Sequence, residues 1–392
     1  MLMGDISVAE LLGRDTEPVY GPEAHGIIKD ATVLVTGAGG SIGSEIGRQL
    51  RCLGAGNIVY VDNNEYNLYL LERELRGTAA LTDDSIVLAD VQNLNALSKV
   101  LADHRPELVF HAAAVKHLPL LERSPAIAIL TNVLGTCNVA SASAAHGVKR
   151  LVNVSTDKAA NPTSILGMTK RLAEIVVRHF ASREMLVASV RFGNVFNSRG
   201  SFVETFAWQI ASGIPVTITD PAMTRYFMTI PQAAGLLIEA AVMANGGDTF
   251  ILDMGESYSI VNLLQRYVTL SGAQKPKIVF TGARQGEKLH EQLFDGREVA
   301  HCTQHPAISR VTVSDAVSLQ EIERLCLDAH HEVDFGVLRA DLERLVAGDQ
   351  DLRGRTSPRR YQRRPIRLHR LTRPRPPLGW RRPAPVTVGA EA

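Results

Sequence analysis

The sequence predicts an α/β fold, a doubly wound parallel sheet followed by a smaller C-terminal lobe. Two observations predict it. From Ala31 onward short β-branched runs alternate with helical patterns. After Asn194 that rhythm gives way to shorter elements punctuated by Gly and Pro, as in ASGIPVTITDPAM and TGARQGEKL. Strand, helix, strand at this spacing requires βαβ crossovers, which set the strands parallel and lay helices on both faces of the sheet.

Each element can be read in order. ATVLVT runs into SIGSEIGRQLRCL, NIVYVD into EYNLYLLERELRG, and SIVLAD into NLNALSKVLADH. ELVFHAA precedes a helix through about His146, RLVNVS a helix through about Ser182, and MLVASVRF forms a sixth strand. With 392 residues the chain exceeds the usual single domain, so a companion lobe is expected. The resulting division is a lead-in over 1–30, a dinucleotide-binding domain over 31–193, a mainly substrate-binding lobe over 194–347 and an Arg/Pro-rich tail over 348–392.

Composition narrows the class. Hydrophobic residues make up 45% and charged residues 21%, the values of a globular chain. Cys52, Cys137, Cys302 and Cys326 lie far apart and form no CxxC pair, which argues against a zinc knuckle, a metal site or a disulfide framework and fits a reducing cytoplasm. No apolar run reaches 18 residues, and the opening MLMGDISVAELLGRD lacks the basic and apolar regions of a signal peptide, so neither a membrane span nor a leader is expected. The formal net charge of +1 hides an asymmetry: residues 351–392 carry twelve arginines against Asp351 and Glu391. Arg mixed with Pro and no period predicts disorder there. The tail reads as a contact for anionic surfaces, as a nucleic-acid arm or as a solvated extension; no base-reading module accompanies it, so no specific nucleic-acid partner is expected.

The first strand ends in Thr36-Gly37-Ala38-Gly39-Gly40-Ser41-Ile42-Gly43 and enters an amphipathic helix directly. A Gly-rich turn lets backbone approach a pyrophosphate, and the helix N-terminus offers unpaired N–H groups to the anion. Gly37, Gly40, Ser41, Ile42 and Gly43 are therefore cofactor-binding candidates in a Rossmann-like sheet. Nineteen residues after Gly43 the second strand ends in Asp62, placed to accept from an adenosine ribose. Its carboxylate favours NAD over NADP, because Asn63, Asn64 and Glu65 follow it and no arginine does. Asp90 and Val91, after the third strand, are candidates to flank the adenine. His111 reads as a packed strand-end histidine, and His117 stays unassigned.

The TGxxGxxG spacing together with His111-Ala112-Ala113-Ala114 after the fourth strand resembles the extended short-chain dehydrogenase/reductase family. HAAAVKHLPLLERSP, NVLGTCNV, STDKAANPTSILGMTKRLAE, RFGNVFNSRGS, MTRYFMTIPQA and GARQGEKLHEQL, in this order, resemble nucleotide-sugar 4,6-dehydratases of capsule and glycan synthesis. The similarity is greatest to UDP-N-acetylglucosamine 4,6-dehydratases whose long forms are membrane-anchored, and it covers roughly residues 5–300. VAELLGRD resembles the lead-in that follows the membrane helices of those forms.

The resemblance implies a reaction that Ser155-Thr156-Asp157-Lys158, at the carboxyl edge of the sheet, suits on its own chemistry, since adjacent acid and amine can divide an elimination between them. It implies that Thr156 holds the C4 hydroxyl, Lys158 takes the C5 proton and Asp157 protonates the departing C6 hydroxyl. Lys170 would bind the nicotinamide ribose. The tyrosine of the usual YxxxK element is Leu166 here, in Leu166-Gly167-Met168-Thr169-Lys170. A leucine transfers no proton, so the C4 hydroxyl proton must pass to another group, such as Asp157 or a water near Thr156 and Lys170. For the substrate, Arg225 and Arg284 are candidates for the phosphates, Glu287 for a ribose hydroxyl, and Lys116, Asn194 and Arg199 for sugar or phosphate. A UDP-sugar and further copies of the chain are the expected partners. A nucleotide-sugar epimerase and a catalytically degenerate NAD-binding protein are the alternatives.

Overall fold

The computed structural model describes residues 8–13, 20–77, 80–196, 198–296, 298–313 and 317–351. The tail beyond 351, with the disorder expected of it, lies outside these residues.

Six strands form the expected parallel array: β1 (Thr32–Thr36), β2 (Asn57–Asp62), β3 (Ile86–Leu88), β4 (Leu108–His111), β5 (Arg150–Val154) and β6 (Leu186–Arg191), in the order β3-β2-β1-β4-β5-β6. Successive side chains leave opposite faces of a strand. Val33 and Val35 therefore join one apolar cluster with Tyr60, Phe110 and Val190, while Leu34 joins the other with Val59, Val109 and Val187. Burial on both faces explains why the strands read as unbroken apolar runs. The winding reverses between β1 and β4, so a crevice opens at their carboxyl ends, where doubly wound sheets bind ligands.

Helices cover both faces. Ile46 and Leu50 of α1 (Ser41–Cys52) bury against the first cluster, and Leu97 and Leu101 of α2 (Leu94–His104) against the second. α3 (Pro125–Ala145) is long and apolar enough to cross a membrane by length and composition, yet 72% of its apolar window is buried inside the fold. A π-helical turn over Ile129–Leu134 interrupts it. In that turn Asn132 clamps the backbone of Val115, accepting from its N–H at 2.9 Å and donating to its carbonyl at 3.1 Å.

The sheet continues past the sixth strand. β7 (Asp248–Leu252) adds parallel to β6, and the antiparallel strands β8 (Ala300–Cys302) and β9 (Ile308–Val311) close that edge. Between these returns, three two-stranded pairs build the smaller lobe. It has its own core around Phe196, Phe206, Phe227 and Leu263, into which Leu11 and Leu12 of the lead-in helix Val8–Leu12 are buried.

One buried ion network ties these parts. Arg191, at the end of β6 and fully buried, donates to both carboxylate oxygens of Glu174 at 2.7 Å and to Glu298 at 2.7 Å. Arg171 adds a bond to Glu298 at 3.1 Å. Burial alone would suppress these charges, and mutual pairing holds Glu174 ionised below the usual carboxylate range. Removing one partner leaves a buried charge uncompensated, so Glu298→Ala is expected to lose about 3–5 kcal/mol of stability in urea unfolding. A loss well under about 1 kcal/mol would show that the network does not hold the fold.

Candidate active site

The crevice deepens into a cavity of about 1040 Å³ lined at one end by Gly37, Gly40, Ser41, Ile42 and Gly43 and at the other by Thr156, Lys158, Leu166 and Lys170. The glycine turn is dictated by contact. Gly37 has φ +65°, and a Cβ there would sit 2.6 Å from the Ala113 nitrogen; one at Gly43 would sit 2.2 Å from the Gly37 carbonyl oxygen. Gly40 caps α1 without any side-chain acceptor, so the first-turn N–H groups are left for a ligand at the positive end of the helix. Asp62 accepts from Gly39 N and Asn64 N, each at 2.9 Å, and so fastens the turn to the end of β2. An ionised carboxylate has acceptor capacity beyond two bonds. A glycine cradle, open helical N–H groups and a carboxylate behind them are the donor and acceptor set that a dinucleotide requires. Asp90 and Val91 do not line this cavity: Asp90 accepts from Gln92 N at 2.8 Å, and Val91 is buried in the sheet's second cluster.

The chemical end hangs from β5. Thr156 opens a single 3₁₀ turn, Asp157–Ala159, and its hydroxyl donates to Asp157 Oδ1 at 2.8 Å. Lys158 Nζ donates to the same oxygen at 2.9 Å and to Asn194 Oδ1 at 3.4 Å, and it lies 3.6 Å from Glu291 Oε1. Burial works against the Lys158 charge, but Asp157 and Glu291 outweigh it and hold the ammonium above the usual lysine range; Arg225 pulls the other way. α4 (Ile165–His179) packs directly on this turn because position 167 is glycine, where a Cβ would lie 2.4 Å from the Lys158 carbonyl oxygen. That approach brings Leu166 and Lys170, one turn apart on α4, to the cavity wall. Burial, partly offset by Glu174, lowers Lys170 to about 8. His111 is buried between the hydroxyls of Thr36 (2.7 Å) and Thr136 (3.0 Å), and burial lowers it to about 3, so it stays neutral.

Lys116, Asn194 and Arg199 also line the cavity, with His117 beside them. Arg199 is placed differently from the reading as a sugar or phosphate ligand. Its guanidinium donates to Gly39 O at 2.9 Å and to Asn67 Oδ1 at 2.7 Å, and its backbone N–H donates to Ser41 Oγ at 3.1 Å, so in this structure it closes over the glycine turn. Lys116 donates to the Arg199 carbonyl at 2.9 Å. Arg225, Arg284 and Glu287 do not line the cavity. Arg225 is buried, donates to Thr224 O and Leu289 O, and faces Glu287 at 3.6 Å, while Arg284 is exposed. Sequence reasoning did not single out Glu291, although it stands in the GARQGEKLHEQL motif, or Asn132, which fixes the loop before Lys116.

The sheet order, the glycine turn and the Thr-Asp-Lys turn beside a helical lysine define an extended short-chain dehydrogenase/reductase. The chain belongs to the polysaccharide biosynthesis protein family, which matches residues 33–313. Capsular polysaccharide biosynthesis protein CapD of Staphylococcus aureus is 44% identical over 300 residues, 75% of this chain and 50% of the relative. The chain thus spans about half the length of CapD and of a Bacillus subtilis relative, probable polysaccharide biosynthesis protein EpsC. Pen from Bacillus thuringiensis superposes with a TM-score of 0.67 at 34% identity, covering 72% of this chain and 90% of Pen. MoeE5, solved with UDP-glucose and NAD, superposes with a TM-score of 0.56 at 25% identity over 68% of this chain and 90% of its own.

Gly43→Ala forces a methyl into the Gly37 carbonyl. It is expected to weaken NAD binding by about tenfold or more, roughly 1.4 kcal/mol, in calorimetric titration. Affinity equal to the parent's would mean that the turn relaxes and does not form the cradle.

Proposed function

We propose that the protein is an NAD-dependent nucleotide-sugar 4,6-dehydratase acting on a UDP-N-acetylhexosamine, UDP-N-acetylglucosamine foremost, to give a 4-keto-6-deoxy sugar. The observation that carries this reading is the Thr156-Asp157-Lys158 turn, hydrogen-bonded in series, whose Thr156 and Lys158 line the cavity that the glycine turn enters while Asp157 is buried behind them. A simple 4-epimerase needs no such acid and amine. NAD, held by the glycine turn, would supply the hydride acceptor for C4 and the hydride donor for C6. Asp62 favours NAD by repelling a 2′-phosphate, and Lys170 is suited to the nicotinamide ribose.

The side chains divide the proton work. With Leu166 inert, the C4 hydroxyl proton passes through Thr156 to Asp157 Oδ1, which lies 2.8 Å from the Thr156 oxygen. Asp157 then gives that proton to the departing C6 hydroxyl, which leaves as water. Lys158 takes the C5 proton and later returns it to C5. Lys116 and Asn194 face the sugar end of the cavity; Arg225, Arg284 and Glu287 would meet the UDP moiety only if the lobe closes. A cytoplasmic setting, assembly with further copies and an anionic contact for the tail belong to the same proposal, with the lead-in, dinucleotide, substrate and tail segments serving as read from sequence.

Incubation with UDP-N-acetylglucosamine is expected to yield a product lighter by one water in mass spectrometry. Conservation of mass would make the protein an epimerase. Lys158→Ala is expected to abolish that product, with a loss on the order of 10²–10⁴-fold, while NAD binding is kept. Most of the turnover surviving would move the C5 base elsewhere.

Leu166→Tyr tests the departure at the helical position. A phenol one turn from Lys170 would have its pKa lowered by the neighbouring cation and would serve as a second acceptor for the C4 proton. The variant is expected to speed the rise of reduced-nicotinamide absorbance on mixing with substrate. Overpacking against a side chain that is 7% exposed would cost roughly 1–3 kcal/mol, so a melting curve accompanies the measurement. A stably folded variant with no faster rise would show that Thr156 and Asp157 already suffice.

A further inference from the structure

We propose that Glu291 is the positioning residue that receives the proton Lys158 must shed before it acts on the sugar, an inference that rests on the dehydratase reading above. Three observations lead to it. Lys158 Nζ stands between two carboxylates, 2.9 Å from Asp157 Oδ1 and 3.6 Å from Glu291 Oε1. Both carboxylates are buried, and among the described residues Asp157 Oδ2 and Glu291 Oε2 have no hydrogen-bond partner. The second carboxylate lies 134 positions further along the chain and stands behind Lys158 without lining the cavity itself.

An amine that is already an ammonium abstracts nothing, and its neighbours here favour the ammonium. Two protons must therefore be accommodated: that of the C4 hydroxyl and that of Lys158. Asp157 is committed to the first, because Thr156 delivers it there and the C6 hydroxyl needs it back. Glu291 is the remaining buried acceptor, with an oxygen to spare. The balance closes without a co-reactant. Lys158 N–H breaks and Glu291 O–H forms; C5–H then breaks and N–H re-forms on Lys158; after the C6–O bond breaks, that proton returns to C5, and Glu291 gives its proton back to Lys158. Arg225, Lys288 and Asp295 are the other charged groups in the surroundings. Arg225 faces Glu287 and Lys288 donates to Asn161 O, so neither cation is within bonding distance of the free Glu291 oxygen.

The test is a single turnover of holoenzyme with UDP-N-acetylglucosamine in deuterium oxide, reading deuterium at C5, reduced-nicotinamide absorbance and the melting temperature together. Glu291→Gln keeps the size and the polarity but accepts no proton. It is expected to keep the absorbance rise and the melting temperature while C5 exchange falls by about 100-fold or more, and to regain activity as pH rises and solvent strips Lys158 instead. Glu291→Asp is expected to restore part of the exchange. Parent-like C5 exchange in Glu291→Gln overturns the proposal. So does a parallel loss of C4 oxidation and stability in both variants, which would make Glu291 a packing residue. If the parent itself releases no water from the nucleotide sugar, the dehydratase reading falls first and this inference with it.

Discussion

The buried pairing of Arg191 with Glu174 and Glu298 joins the segments that carry the Thr156-Asp157-Lys158 turn, Lys170 and Glu291. Arg191 ends β6, and the chain runs from it into Asn194 and Arg199. Glu174 lies on α4 one turn beyond Lys170 and also accepts from Ser155, the residue before Thr156, at 2.6 Å. Glu298 follows Glu291 by seven positions in the segment that leads back to the sheet. Four stretches distant in sequence are thus fixed by one set of charge-assisted bonds, which are short and directional where apolar packing is neither. Such a network, when complete, specifies one arrangement and penalises every other.

Two ionic clusters stand side by side and differ in their arithmetic. In the structural one, Arg171 and Arg191 balance Glu174 and Glu298, and the Arg191 guanidinium fork is spent on carboxylate oxygens. Around Lys158, one ammonium faces two carboxylates, and two buried oxygens are left unsatisfied. A buried acceptor without a donor costs stability on the order of 1–3 kcal/mol, and such costs persist at sites that must change their protonation. The first cluster is complete; the second keeps unpaired acceptor oxygens and adjoins the cavity. Their proximity lets rigidity in one define distances in the other.

The parallel sheet and the glycine turn were legible because period and spacing are local signals. ATVLVT and NIVYVD are strands whichever way the chain later turns, and TGxxGxxG between strand and helix admits few geometries. Asp157 and Lys158 were legible as an adjacent acid and amine at a strand end. Glu291 was not, because its partner is 133 positions away and no periodicity links them. Arg199 was read from its place in the loop that opens the smaller lobe and from the motif around it, neither of which says that its guanidinium turns back onto Gly39. The return of β7, β8 and β9 to the sheet was equally hidden, since short strands among Gly and Pro carry little pattern of their own. Long-range closure is decided by packing that a single sequence does not display.

On the proposed reading, leucine rather than tyrosine at position 166 is accounted for by the same geometry. A phenol at that position serves as a base only because a neighbouring cation depresses its pKa, and Lys170 is still present to do so. Thr156, however, already touches Asp157 through its hydroxyl, so a hydroxyl-to-carboxylate path exists that does not cross α4. In the reaction proposed above that path carries the C4 proton, which would make a second base on the helix redundant and leave the position to apolar volume. Leu166 meets that condition: it gives the cavity wall an apolar side chain while remaining buried. Apolar surroundings strengthen charge interactions. On the proposed reading, leucine in place of a proton-transfer group gives a lower local dielectric, which favours a cluster that moves protons between its own members over one that draws them from solvent.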